Sequence, residues 1–439
     1  MEQHRETPQS TGERWQARFF TIWTGQQLSL IGSMLAGFAL VWWLTEKTGS
    51  ATVLTTASLV QILPSVVLGP LVGPLIDRWN RRKVMLVADI AIALFSAWLA
   101  YLFWADALQI WQVYVIMAVR AIGGTFHWPA MSASTSLLVP EKHLARVAGI
   151  NQTMRGIMSI ISPPLGALLI SVLPLHGVMA IDVGTAVCAI LPLLFVHIPQ
   201  PKRRDEGQNG GIAPTFWSDL REGLSFIWRW PGLRSLLVMA AVINFVFNPA
   251  GSLLPLAVTE HFGGGANELG WIESFWGIGI VLGGLLLGVW GGFKRRIVTS
   301  MVGLVGMGVG CLVFGVAPAN AFGMALGGIA FIGFMNPLTN GPINAIFQSV
   351  IPPDMQGRAF TLIGSACSAM SPIGMIIAGP IADAFGVQSW FIICGLSCAA
   401  MGVYAFANPV VMGIEDNHRQ TEADLQGVPA TAAAGNSAD

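Results

Sequence analysis

The chain has 439 residues, of which 54% are hydrophobic and 10% charged, with 23 basic and 23 acidic residues balancing to a formal net charge of zero. A soluble domain carries roughly a quarter of its residues as Asp, Glu, Lys and Arg, so this composition excludes an ordinary soluble enzyme and points to a polytopic membrane protein. No nucleic-acid partner is expected.

The first 18 residues are polar and mixed in charge, without the short apolar core and small-residue cleavage site of a signal peptide. Twelve apolar stretches then follow, near 17–45, 50–76, 82–104, 110–139, 146–173, 177–198, 232–259, 267–292, 296–317, 321–351, 357–384 and 387–411. Each is long enough for a crossing of about 20 residues. All the basic residues except Lys47, Arg120 and Arg155 fall in the N-terminal arm, the even-numbered connections and the C-terminal tail. The excess of Lys and Arg in cytoplasmic loops then places both termini in the cytoplasm. That placement requires an even number of spans, in agreement with twelve.

The sixth connection divides the chain. It is polar and Gly-rich through PQPKRRDEGQNGGIAP and continues into TFWSDLREGLSFIWRW, where Trp217, Leu220, Leu224 and Ile227 recur at helical spacing. This predicts an interfacial amphipathic helix. The expected organisation is an N-terminal six-helix half (1–198), a cytoplasmic linker (199–231), a C-terminal six-helix half (232–412) and a disordered tail (413–439). An internal repeat supports the division. Pro129 and Pro140 are echoed at the same separation by Pro342 and Pro353, and Pro164 and Gly166 by Pro372 and Gly374. Weak similarity between halves is the signature of transporters built from parallel repeats.

Polar residues form stripes on the first helix of every three-span unit. Gln26, Ser29 and Ser33 mark span 1, beside Gln27; Arg120 and His127 mark span 4; Asn244, Asn248 and Ser252 mark span 7; Asn336, Asn340, Asn344 and Gln348 mark span 10. Polar residues also hold helices together, but four stripes at a period of three spans favour a shared aqueous path. Gln26, Gln27, Arg120, His127, Asn244, Asn248, Asn336, Asn340 and Asn344 are accordingly candidates to line a substrate cavity.

Ionisable residues inside spans are costly and mark function. Arg120 lies about 15 Å from the outer end of span 4 at 1.5 Å per residue, as a cavity cation or as the partner of Asp89. Asp89 is expected to pair with Arg120 or Arg155, whereas Asp182 and Glu273 have no basic neighbour in sequence. The candidates for proton coupling are therefore Glu273, between Trp271 and Trp276, with Asp182, Asp89, Arg120 and His127. The five cysteines sit in apolar runs and read as small hydrophobes. Glycines four apart, including Gly279 with Gly283, Gly284 with Gly288 and Gly323 with Gly327, read as close-packing faces. No Gly-Lys-Ser/Thr loop occurs, so a P-loop ATP motor is excluded, and no metal-ligand or catalytic spacing is seen.

Between spans 2 and 3 stands GPLVGPLIDRWNRRKVM, with Gly73, Asp77, Arg78, Arg81 and Arg82 in the pattern Gly-x-x-x-Asp-Arg-x-x-Arg-Arg. Together with FFTIWTGQQLSLIGS, WLTEKTGSATVLTTASLVQILP, VRAIGGTFHWPA, SPPLG and LREGLSFIWRWPGLR, it resembles the drug:proton antiporters of the major facilitator superfamily, specifically the macrolide-efflux type. Asn80 stands where the superfamily loop usually has Gly, in keeping with its tolerance of left-handed turns, and span 1 has Ser33 and no carboxylate. The resemblance implies an all-α membrane protein of two pseudo-symmetric six-helix bundles that rock in alternating access. It implies a gate in which Asp77 faces the start of span 11 near Ala359, while Arg78, Arg81 and Arg82 latch the two halves. It further implies export of an amphipathic small molecule such as a macrolide, without cofactor or ATP, driven by a proton gradient, by a monomer in the bilayer of the bacterial inner membrane. The alternatives are export of a siderophore or other endogenous metabolite, and a non-transporting membrane sensor or enzyme.

Overall fold

The computed structural model describes residues 11–196, 198, 230–351 and 356–415. The expected amphipathic helix of the linker and most of the tail lie outside the described residues. The chain is all-α. In the first half α1 spans Thr11–Thr48, α2 Ala51–Arg78, α3 Arg81–Trp104, α4 Ile110–Leu138, α5 Glu141–Val172 and α6 Leu175–Phe195. In the second half α7 spans Pro231–Leu256 and runs into a π-helical turn, Ala257–His261; α8 spans Ala266–Trp290, α9 Arg296–Val316, α10 Phe322–Val350, α11 Gln356–Phe385 and α12 Val387–Ala407. A short α13, Pro409–Met412, follows.

Eleven of these helices are long and apolar enough to cross a bilayer. Among the twelve long helices the exception is α4, whose 29 residues include Gln112, Arg120 and His127. Length suits it to a span, but its polar face dilutes the hydropathy. That face is where the site is found below.

The described residues of Met1–Asn209, with Val258–Glu260 and Gly264–Ser274, form one compact unit, and those of Gly210–Ala257, His261–Gly263 and Phe275–Asp439 form another. The same packing recurs in each. In the first unit α6 packs on α1 and α3, α3 on α4, and α1 on α5; in the second α12 packs on α7 and α9, α9 on α10, and α7 on α11. These pairings match on a shift of six helices. The sequence echo takes physical form at one seam: Gly166 on α5 meets Phe38 of α1, and Gly374 on α11 meets Phe245 of α7.

The helix ends explain the connections. Ser50 Oγ accepts from Val53 N to cap α2, and Asn80 Oδ1 accepts from Lys83 N to cap α3, the commonest way to satisfy an orphan first-turn amide. Asn80 has φ −69°, so it serves as an N-cap rather than as the left-handed turn residue expected from the sequence. Gly279 and Gly283 do pack closely on α10 at Ala330 and Phe334, whereas Gly284, Gly288, Gly323 and Gly327 would meet nothing within 4 Å of an added Cβ. Only the first of those three glycine pairs is a packing face here.

Candidate functional site

The first unit encloses a cavity of about 800 Å³ between α1, α3, α4 and α5. The polar stripes of α1 and α4 line it: Gln26, Gln27, Ser29, Ser33, Arg120 and His127 all face this space, with Asp89. Its apolar wall includes Trp23, Met34, Trp128 and Met131.

Two polar networks cross it. Asp182 of α6 is 1% exposed, and its Oδ2 accepts from Arg120 Nη1 at 2.5 Å and from Ser96 Oγ at 2.7 Å. Its Oδ1 accepts from Ser33 Oγ at 3.1 Å. Arg120 also donates to Ser96 Oγ at 2.8 Å and to the Ser33 carbonyl at 3.1 Å. A carboxylate buried this deeply stays charged only if paired and hydrogen-bonded, and here it has a guanidinium and two hydroxyls. In the second network Gln26 Nε2 donates to Asp89 Oδ2 at 2.8 Å. His127 Nε2 lies 3.3 Å from Asp89 Oδ1, near enough to pair on protonation but without a hydrogen bond in this geometry.

This overturns one expectation. Asp89 pairs with neither Arg120 nor Arg155; Arg120 goes to Asp182, and Arg155 lies with its guanidinium carbon 4.0 Å from the ring centre of Trp128. Sequence distance misled, because α6 packs against both α1 and α3 and so brings Asp182 to the level of Arg120. Gly25 and Gly32 make that approach possible: a Cβ on Gly25 would run into the Cys188 carbonyl, and one on Gly32 into Thr185 Oγ1, beside Asp182. Ser96 was missed. It lies seven residues after Asp89 on α3, two turns along the same face, and that spacing is the signal that could have found it.

Glu273 on α8 lines neither this cavity nor the one in the second unit, and has no hydrogen bond or ion pair among the described residues. It is set apart from the other four proton-coupling candidates.

The second unit has its own cavity of about 280 Å³, lined by Asn244, Asn248, Asn336, Asn340 and Asn344 with Phe247, Met301 and Met307. Asn248 Nδ2 donates to Asn244 Oδ1 at 3.0 Å and to Ser371 Oγ at 2.7 Å, while Asn340 Nδ2 donates to the Asn336 carbonyl at 3.1 Å. All five asparagines predicted from the α7 and α10 stripes are brought together. Ser252 and Gln348 are not among the lining residues. Among the described residues, no Asp, Glu, Lys, Arg or His lines this cavity. The two units thus differ in kind, one charged and one amide-lined.

At the basic turn the side chains of Gly73, Asp77 and Arg78 lie outside the described ones. Arg82 is described: its Nε and Nη2 donate to the carbonyls of Leu193 and Leu194, each at 2.5 Å. Those carbonyls belong to the last turn of α6, where a cation meets the negative end of the helix dipole. Arg82 is thus engaged within the first unit.

The family model for the Major Facilitator Superfamily matches residues 22–256 and 236–431. The chain belongs to the major facilitator superfamily. It is 38% identical to macrolide efflux protein A of Streptococcus pyogenes over 87% of this chain and 93% of that one, and 27% identical to the multidrug efflux pump Tap of Mycolicibacterium fortuitum over 86% and 92%. Among solved structures, a bacterial homologue of the human lysosomal transporter Spinster matches with TM-score 0.68 at 14% identity, covering 94% of this chain and 99% of that one. The nucleoside transporter NupG matches with TM-score 0.60 at 12% identity over 87% and 98%. These two likenesses establish the fold. The chain is a multi-pass membrane transporter and not an enzyme.

Proposed function

We propose that this protein exports amphipathic drugs of the macrolide type across the bacterial inner membrane in exchange for protons. One observation carries the reading: identity of 38% to macrolide efflux protein A over nearly the whole of both chains. The cavity of the first unit supports it, since Trp23, Met34, Trp128 and Met131 give adaptable apolar walls and Gln26, Gln27 and Asn151 give a few polar points. Bulky, mostly apolar ligands are held by such a surface.

The proton step uses the Arg120–Asp182 pair. A proton on Asp182 removes the charge that holds the guanidinium, and Arg120 is released toward the cavity it lines; loss of the proton restores the pair. Each state leaves a different charge facing the substrate. Asp89, with His127 beside it, offers a second stopping place on the same cavity. The halves 1–198 and 232–412 alternate in access, both termini are cytoplasmic, and the monomer needs no cofactor or ATP. Asp77 belongs to the gate at the basic turn.

Expression in a pump-deficient bacterium tests this directly. Macrolide resistance should rise, and unchanged susceptibility to every macrolide tried would sink the reading.

A further inference from the structure

Two guanidinium groups reach the cavity of the first unit, and their circumstances differ. Arg120 is neutralised by Asp182. Arg155, exposed on α5, has no hydrogen bond or ion pair among the described residues, and its guanidinium carbon lies 4.0 Å from the ring centre of Trp128. The cavity's carboxylate Asp89 accepts a hydrogen bond from Gln26, with His127 beside it. Arg155 stands nine residues after Arg146, where the apolar part of α5 begins, or about 14 Å into the span. A cation at that depth that faces a cavity instead of an ion-pair partner marks a candidate ligand site.

The geometry suits a particular ligand. The guanidinium carbon lies over the indole ring, its N–H groups make no hydrogen bond among the described residues, and their planar fork matches a carboxylate bidentately. Trp128 remains 51% exposed, an apolar shelf beside the fork. From this we infer that Arg155 and Trp128 form an anion-recognition subsite, taking amphipathic substrates that carry a carboxylate on an apolar or aromatic body. The inference rests on the export reading in treating the cavity as a substrate site, and it extends that reading to a charge class opposite to that of an amine drug.

The test uses the full chain in phosphatidylcholine nanodiscs with a matched pair of fluorescent probes, dansyl-phenylalanine and its methyl ester. Removing the charge-assisted fork in Arg155→Met should weaken binding of the acid by about tenfold or more while the ester binds as before, and Arg155→Lys should fall between. Thermal unfolding of each variant in the same nanodiscs reports whether it is folded. Equal losses for acid and ester, an unchanged affinity for the acid, or no binding of the acid to the wild-type chain would each overturn the subsite. So would loss of the acid's preference when phosphatidylglycerol is added, since the fork would then serve a lipid headgroup. Macrolide efflux by the wild-type chain in cells is a separate readout: its absence sinks the export reading and leaves the probe comparison standing.

Discussion

Arg120 and Asp182 are 62 positions apart in the chain and 2.5 Å apart in space, the guanidinium of α4 closed on the carboxylate of α6 with Ser96 and Ser33 completing its hydrogen bonds. Removing one member of such a buried pair strands the other, at a cost of about 3–5 kcal/mol, whereas removing both costs far less. Asp182→Asn is therefore expected to lower the unfolding temperature and abolish efflux. The double change Arg120→Gln with Asp182→Asn should recover much of the stability without recovering transport. Thermal unfolding in detergent and drug accumulation in cells measure the two effects, and full efflux by the single variant contradicts the proton role.

The approach of α1 to α6 depends on what Gly32 lacks. A methyl group there meets Thr185 Oγ1 and the backbone of Asp182, and overpacking of this kind costs about 1–3 kcal/mol. Gly32→Ala should lower stability by that amount and displace Ser33 from Asp182, reducing efflux. Gly37→Ala, five residues on, meets nothing within 4 Å and should leave the unfolding temperature within error of wild type.

Much of this was legible from sequence, and the failures have a common cause. Helix number, the repeat and the stripes on α1, α4, α7 and α10 follow from periodicity and charge, which act along one helix at a time. Partner choice does not. Asp89 and Arg120 are nearer in sequence than Asp182 and Arg120, yet pairing is decided by which helix faces close, and that is set by small residues such as Gly25 and Gly32 on a helix that carries neither charge. The partners of Arg82 were hidden for the same reason: its motif marks a basic turn, while the orphan carbonyls it caps lie at the end of α6. A charge pattern gives no address for its partner.

Arg82 yields a prediction that separates its two roles. A cation at a helix C-terminus contributes about 0.3–1 kcal/mol, and up to ~2 when partly buried. Arg82→Ala should destabilise by an amount in that range, with Arg82→Lys intermediate because it keeps the charge but loses the fork that spans two carbonyls. Unfolding midpoints of the three proteins decide it. Wild-type stability for Arg82→Ala would mean that the cap contributes nothing.

The amide cavity of the second unit should govern selectivity rather than energy coupling, because no Asp, Glu, Lys, Arg or His lines it among the described residues. Asn248→Leu removes the bonds to Asn244 and Ser371. It is expected to shift the ranking of macrolides exported by several-fold in KM while the protons moved per drug stay constant. A changed proton stoichiometry would argue against this division of labour between the units.

The central claim is exchange of drug for protons through the Arg120–Asp182 pair. Inverted membrane vesicles from a pump-deficient bacterium, energised to an acid interior and followed with a pH-gradient dye, test it most directly. Addition of a macrolide should partly collapse the gradient with the wild-type chain and leave it intact with Asp182→Asn. No macrolide-induced proton movement with the wild-type chain, or equal movement with the variant, would contradict it.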